Sequence, residues 1–285
     1  MTVRLFADSA SDLPLEFLKE HNVTLFPLVV LLDGKEYEDL LTIKPFDVFN
    51  AMREGKVAST SQVSPHHFKE EFTKLAKEGV SGIYIAFSSE LSGTCQTAMM
   101  VKAEVEEEYP TLDLTIIDTK CASLGVGLVV KTAVELLEKG ATKDEILEGI
   151  QFSRDHMEHI FTVDNLEYLA RGGRISKASA FVGGLLNIKP LLHVEDGKLI
   201  PLEKIRGSKK VLKRIVELIE ERGVNLNEQT IAISHADAED TALELKRQLE
   251  EKFGTTSFFI NSIGSAIGAH VGPGTMAVFF LNKSR

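Results

Sequence analysis

Hydroxyl side chains crowd one short stretch of the chain, Ser88-Ser89-Glu90-Leu91-Ser92-Gly93-Thr94. An apolar run, Ile83 to Phe87, leads into it and a helical pattern follows. Free backbone N–H groups and the dipole at a helix start favour a carboxylate or a phosphate. No Lys or Arg lies between Ser81 and Ala98, so the turn suits an anion held by neutral hydrogen bonds. The same hydroxyls can equally cap the helix, and on these residues alone the two readings stand even.

Four other segments invite the same question. Asp8-Ser9-Ala10-Ser11-Asp12 follows a strand pattern, where two carboxylates would hold a magnesium ion or receive a phosphoryl group. A turn with Asp12 capping the next helix is the favoured alternative. In Thr60-Ser61-Gln62-Val63-Ser64-Pro65, Ser64 is placed to cap a helix that starts at Pro65, which leaves Thr60 and Ser61 free to face a cleft. Leu169-Ala170-Arg171-Gly172-Gly173-Arg174 sets two glycines between two guanidinium forks, a pattern suited to an anion. Ile263 to Gly274 surrounds His270 with four glycines and reads as a backbone loop packed tightly against something.

Several standard chemistries are missing. No GxxxxGK[ST] phosphate loop, GxSxG elbow at Ser92 or HExxH occurs. His156 and His159 read as one helix face and His66 with His67 as neighbours. Neither pair has further ligands, so all four are expected at the surface and no metal is expected.

Strand and helix patterns alternate through the first half. Strands are expected at Val3–Ala7, Val23–Leu32, Ile83–Phe87 and Leu114–Asp118. Helices are expected at Leu13–Glu20, Phe46–Glu54, Pro65–Lys77, Thr97–Tyr109 and Gly125–Lys139. That order predicts an α/β layer on a mostly parallel sheet. The second half reads as strands at His159–Val163, Pro190–Val194, Lys198–Leu202, Thr230–His235, Ser257–Ile263 and Met276–Leu281. Helices fall at Ala178–Leu186, Lys209–Arg222 and Asp240–Phe253, and Glu195-Asp196-Gly197 is a hairpin turn. A boundary near Gln151–Met157 divides the chain into lobes 1–155 and 156–285, with a ligand expected between or within them.

Bulk numbers bound the function. The 285 residues suit one large domain or two smaller ones, and 44% hydrophobic with 26% charged residues suits a soluble globular protein. A formal charge of −10 argues against nucleic-acid binding. Two cysteines, Cys95 and Cys121, suit a reducing cytoplasm. No apolar stretch approaches a membrane span and no signal-peptide pattern opens the chain, so a cytoplasmic protein is expected.

Five blocks together resemble the DegV family: DSASDLP at Asp8–Pro14, TSQVSP at Thr60–Pro65, SSELSGTCQTA at Ser88–Ala98, LARGGRIS at Leu169–Ser176 and IGSAIGAHVGPG at Ile263–Gly274. They come in the family order and span essentially the whole chain. The resemblance implies a two-lobe α/β fold, a Rossmann-like N-terminal parallel sheet, and a long-chain fatty acid in an apolar tunnel. It also implies a non-catalytic lipid-binding role: in many Gram-positive bacteria such proteins are the substrate-binding subunit of a two-part fatty acid kinase. Carried over, the carboxylate-binding residues fall on Thr60 and Ser92, with Ser61, Ser89, Gly93 and Thr94 supporting the turn. Arg171 and His270 fall at the positions associated with the head group and kinase engagement. Cys95 departs from the pattern, which commonly has an aromatic after SGT. The only ligand implied is the fatty acid, with no cofactor. Phe181, Leu185, Leu186 and Ile267 are candidates to line the tail, against ordinary core packing. Arg174, Arg206, Lys209, Lys210, Lys213 and Arg214 form a basic surface, either simply solvated or docking an acidic face of the kinase. The rival readings are a self-contained enzyme using Asp8 or Asp12 with Ser92 or His270, and a lipid sensor or store without a kinase.

Overall fold

The computed structural model describes residues 3–175 and 188–284. In chain order the first half runs β1 (Val3–Asp8), a 3₁₀ turn at Ser9–Ser11, α1 (Leu15–Glu20), β2 (Thr24–Phe26), β3 (Val29–Leu32), β4 (Lys35–Glu38), α2 (Pro45–Arg53), β5 (Ala58–Ser61), α3 (Pro65–Glu78), β6 (Ser81–Ala86), α4 (Thr94–Glu108), β7 (Leu114–Asp118), α5 (Leu124–Glu138) and α6 (Lys143–Asp155). The second half runs β8 (Met157–Thr162), α7 (Glu167–Arg171), β9 (Ile188–Glu195), β10 (Lys198–Arg206), α8 (Ser208–Arg222), β11 (Ile231–His235), α9 (Glu239–Phe253), β12 (Phe258–Ser262), α10 (Ser265–Val271) and β13 (Met276–Leu281).

Among the described residues the strands form three sheets. The first is parallel, in the order β2-β1-β6-β7. The second is mixed, in the order β10-β9-β8-β13-β11-β12, with β11 and β12 its parallel pair. A third, small antiparallel sheet, β4-β3-β5, was not expected. It arises because Val23–Leu32 is two strands rather than one. Proline fixes φ and lacks an N–H. Pro27 ends β2 in the first sheet, and β3 restarts two residues later in another.

The 3.6-residue period and the caps account for the helices. Ser64 accepts the His66 N–H at the start of α3, as its position before Pro65 predicts. Thr142 and Glu145 form a reciprocal capping box on α6, a helix not foreseen. Helix α5 is apolar nearly all round, and it packs between the first sheet and strands of the second. It approaches closely because Gly125 lies against the His159 ring and Gly127 against the Ser11 carbonyl, where a Cβ has no room. Ala178–Leu186, with Phe181, Leu185 and Leu186, lies outside the described residues.

Alternation gives the second sheet two different faces. Ile160, Ile231, Ile233, Met276, Val278 and Phe280 pack into one core with α8 and α9. Their neighbours Phe161, Ala232, Ala277 and Phe279 face the larger core shared with the first half. That core has an aromatic knot: Phe26 lies 5.5 Å from Phe6, 4.5 Å from Phe68, 5.9 Å from Phe72 and 5.3 Å from Tyr84.

One buried carboxyl joins the halves. Asp12 does not cap α1, whose first turn has no side-chain cap. Instead its Oδ1 accepts the Gly264 N–H at 2.8 Å, its Oδ2 is hydrogen-bonded to Ser123 Oγ at 2.5 Å, and its backbone carbonyl accepts Asn261 Nδ2–H at 2.7 Å. Burial pushes the Asp12 carboxyl up to about 8, and Asp8 and Asp39 up to about 6.

Two outcomes follow from this packing. Phe26→Ala should cost about 3–5 kcal/mol, read as a lower denaturation midpoint, because four ring contacts collapse around one void; a change below ~1 kcal/mol would contradict the knot's role. A carboxyl with a higher pKa in the folded chain takes up a proton on folding, so stability falls as pH rises between the two values. For Asp12 that window runs from 3.8 to about 8, while Asp8 and Asp39 act only up to about 6. His159, His193, His235 and His270, whose pKa values are lowered chiefly by desolvation, oppose this only below their ordinary 6.5. Between about pH 7 and 8 stability should therefore decline by up to ~1 kcal/mol, and Asp12→Asn should flatten that decline in pH-dependent denaturation curves. A wild-type curve that is level or rising there would refute the assignment.

Candidate functional site

The carboxyl ends of the parallel strands define where a site can form. Leu28, Ala10, Phe87 and Ser123 follow the ends of β2, β1, β6 and β7, and all four line one cavity of about 320 Å³. That volume falls in the range of small-molecule pockets, ~300–1,000 Å³. The second sheet supplies the facing wall through residues of one alternation, His159 and Phe161 on β8, Ser234 on β11, Ala277 and Phe279 on β13. Val194 and Leu199, opposite each other on the β9–β10 hairpin, close one side. The hairpin tip is held by Ser88, whose hydroxyl donates to Gly197 O at 2.9 Å. The lining is mostly apolar.

Polar groups converge at one part of the wall. Thr60 on β5 and His270 on α10 share a hydrogen bond, Oγ1 to Nε2, of 2.6 Å. Ser92 bonds Thr94 Oγ1 at 2.9 Å, and Thr94 Oγ1 accepts the Val63 N–H at 3.4 Å, so the two hydroxyl segments meet. Thr60, Ser61, Gln62, Ser92 and Gly93 all lie in the wall here. A Cβ at Gly93 would meet the end of the Gln62 side chain.

The segment Ile263–Gly274 is not a loop. Most of it is helix α10, and its glycines mark close contacts rather than irregular backbone. Gly264 lies against Asp12, and Gly268 against the Phe49 ring. His270 is seated by Gly172, where a Cβ would fall on the imidazole. Burial, with the nearby Arg174 charge, lowers the His270 pKa to about 4, so the ring is neutral at pH 7.

The two arginines of the glycine pair part company. Arg171 is exposed, 5.8 Å from the Tyr168 ring, and lies on a small outer depression that it shares with Gly172 and His270. Arg174 is half-buried in the cavity wall. Its guanidinium donates only to carbonyls, to Leu91 O at 3.0 Å and to Gly172 O, and no carboxylate among the described residues pairs with it. The hydroxyl turn has no cation of its own, and Arg174 brings one from elsewhere in the chain.

Other candidates are placed as follows. Ile267 lines the cavity. Ser89 and Thr94 stand outside its wall; Ser89 donates from N and Oγ to Asp118 and accepts Lys120 Nζ–H at 2.8 Å. Asp8 is spent on the interior, accepting the Tyr84 hydroxyl at 2.7 Å and the Phe87 N–H at 2.8 Å. Ser92 and His270 are bonded to Thr94 and Thr60 rather than to each other. No three His, Cys, Asp or Glu side chains among the described residues group as a metal site.

Two surface readings need correction. His159 is buried on a strand, with Nε2 accepting the Ala122 N–H at 3.3 Å and Nδ1 3.3 Å from Met157 O. The basic surface is narrower than its residue count, since Arg174 turns inward and Arg214 is bound by Glu203, Glu217 and Glu221. The sequence reading missed Gln62, Ser123, His159 and Ser234 in the cavity wall. Strand alternation alone would have flagged His159 and Ser234.

No helix among the described residues is long and apolar enough to cross a membrane. Comparison with known proteins matches the architecture along its whole length. A DegV domain-containing protein of Clostridium perfringens is 42% identical, over 99% of this chain and 98% of the relative. A protein of Thermotoga maritima named a fatty acid-binding protein is 34% identical, over 97% and 96%. A structure described as fatty acid binding of a DegV family protein from Thermus thermophilus superposes with a TM-score of 0.90 at 34% identity, covering 98% of this chain and 99% of that one. The family model described as "Uncharacterised protein, DegV family" matches residues 2–283, and with these relatives it shows that the chain belongs to the DegV family.

Proposed function

We propose that this protein is a cytoplasmic, non-catalytic carrier of a long-chain fatty acid, held between lobes 1–155 and 156–285. Its carboxylate is received by Thr60 and Ser92, and a separate ATP-dependent kinase phosphorylates it. The observation that carries the reading is an apolar cavity whose wall holds, with those hydroxyls, one guanidinium, Arg174, that no carboxylate among the described residues pairs. An amphiphile with one anionic end is the ligand class that satisfies both. The named binding of fatty acids by the Thermotoga and Thermus relatives supports the same class.

The energetics divide the work. Buried methylenes contribute about 0.8 kcal/mol each, so ten supply about 8 kcal/mol gross. A hydrogen bond to a charged group adds about 1.5–3 kcal/mol. The tail therefore supplies most of the affinity, and the hydroxyls orient the head. In the transfer, a carboxylate oxygen attacks the γ-phosphorus of ATP, the bond to the β-phosphate oxygen breaks, and acyl phosphate and ADP result. On this reading Arg174 and neutral His270, which line the same cavity as Thr60 and Ser92, stabilise the charge that develops on the transferring group. Arg171, on the outer depression next to His270, is available to the kinase.

Thr60→Ala or Ser92→Ala should weaken fatty-acid binding by roughly ten- to a hundredfold. Acyl-phosphate formation with kinase and ATP should fall by a clearly larger factor, measured at saturating lipid. Loss of phosphorylation only in proportion to occupancy would sink the orienting role, as would a variant that sheds all lipid and unfolds.

A further inference from the structure

The cavity has a second polar feature that the carboxylate does not use. Exposure sets its depth. Ser61 and Gly93 are exposed and mark the mouth, while Ser123 (5% exposed) and Ser234 (0%) lie where the two walls meet, and that junction is the floor. Both hydroxyls line the cavity, from facing walls, and lie 2.9 Å apart. The β11–β13–β8 register sets Ser234 beside Ala277 and Ala277 beside Phe161, so Ser234 interrupts an apolar row. A plain hydrocarbon core would place an alanine or valine there.

Ser123 is built into this position at a cost. It holds φ +54, in a region that favours glycine, and it occupies the cap position of α5 without capping the helix. Its hydroxyl is turned to Asp12 Oδ2 and Ser234 Oγ instead. The three groups form a relay, Asp12 to Ser123 to Ser234, in which each contact uses one proton. At its end Ser234 keeps unused capacity: lone pairs if the protons point toward Asp12, an O–H if they point away. Ser123 is the only hydrogen-bond partner of the Ser234 side chain among the described residues. A methylene passing this point leaves the capacity unmet in a dry wall, whereas a hydroxyl, both donor and acceptor, meets it with the relay in either direction.

We infer that the floor of the cavity selects acyl chains bearing a hydroxyl group along the chain, received by the Ser123–Ser234 pair. This rests on the carrier reading above and adds the class of acid carried. Discrimination of this kind is strong because a buried polar group is left unpaired by the wrong ligand.

The test is a set of titrations of the wild-type protein with octadecanoic acid and with its 10-hydroxy and 12-hydroxy derivatives, repeated on Ser234→Ala. At least one hydroxy acid should bind wild type about tenfold more tightly than the plain acid, one hydrogen bond's worth, and the preference should vanish in Ser234→Ala. Equal or weaker binding of both hydroxy acids by wild type would overturn the inference while leaving the carrier reading intact. So would a preference that survives the substitution. If none of the three acids binds, the carrier reading itself fails. Should Ser234→Ala not fold, judged by its melting curve, the wild-type comparison still decides.

Discussion

A carboxyl with no access to water holds this molecule together at its most demanding point. Asp12 ends the first strand's loop, and it must bond groups from α5, from β12 and from the start of α10 at once. Unpaired, each of those groups would cost about 1–3 kcal/mol in the interior. The arrangement also has a geometric consequence. By fixing where α5 and α10 begin, Asp12 sets the spacing between the parallel sheet's carboxyl edge and the face of the mixed sheet. The cavity is what that spacing leaves open.

The chemistry of the cavity follows from which elements reach it. Strand ends from the first sheet bring loops with hydroxyls and small residues, and the second sheet brings the alternating apolar face. The small third sheet contributes Thr60, and α10 contributes His270, so a 2.6 Å polar contact in the wall joins residues 210 positions apart. Arg174 then adds a cation with no carboxylate partner among the described residues. Removing a guanidinium from water without an anion is unfavourable, and burial accordingly lowers the Arg174 pKa. An incoming anion relieves that condition, and an apolar tail fills the rest of the space.

Much of this was legible in the sequence, and what was not failed for physical reasons. The parallel strands Val3–Asp8, Ser81–Ala86 and Leu114–Asp118 announce themselves as short apolar runs. The β9–β10 turn is marked by Glu195-Asp196-Gly197, with Asp196 and Gly197 both at positive φ. Glycine misled where its low helix propensity outweighed its small size, so the Gly264–Gly274 segment read as a loop although Gly268 is there to admit Phe49. His159 misled because its spacing from His156 fits a helix, whereas alternation along β8 puts it with Phe161 on the inward face. Pro27 was a readable break that a long apolar run obscured. The choice between Arg171 and Arg174 was not legible: two guanidiniums around two glycines are equivalent until the turn after α7 aims one inward.

Mass spectrometry of the purified protein, first native and then denatured with the released molecules identified, tests the central claim most directly. One long-chain fatty acid per chain, released on denaturation, is the expected result. A protein that is empty and takes up no added fatty acid would contradict the account.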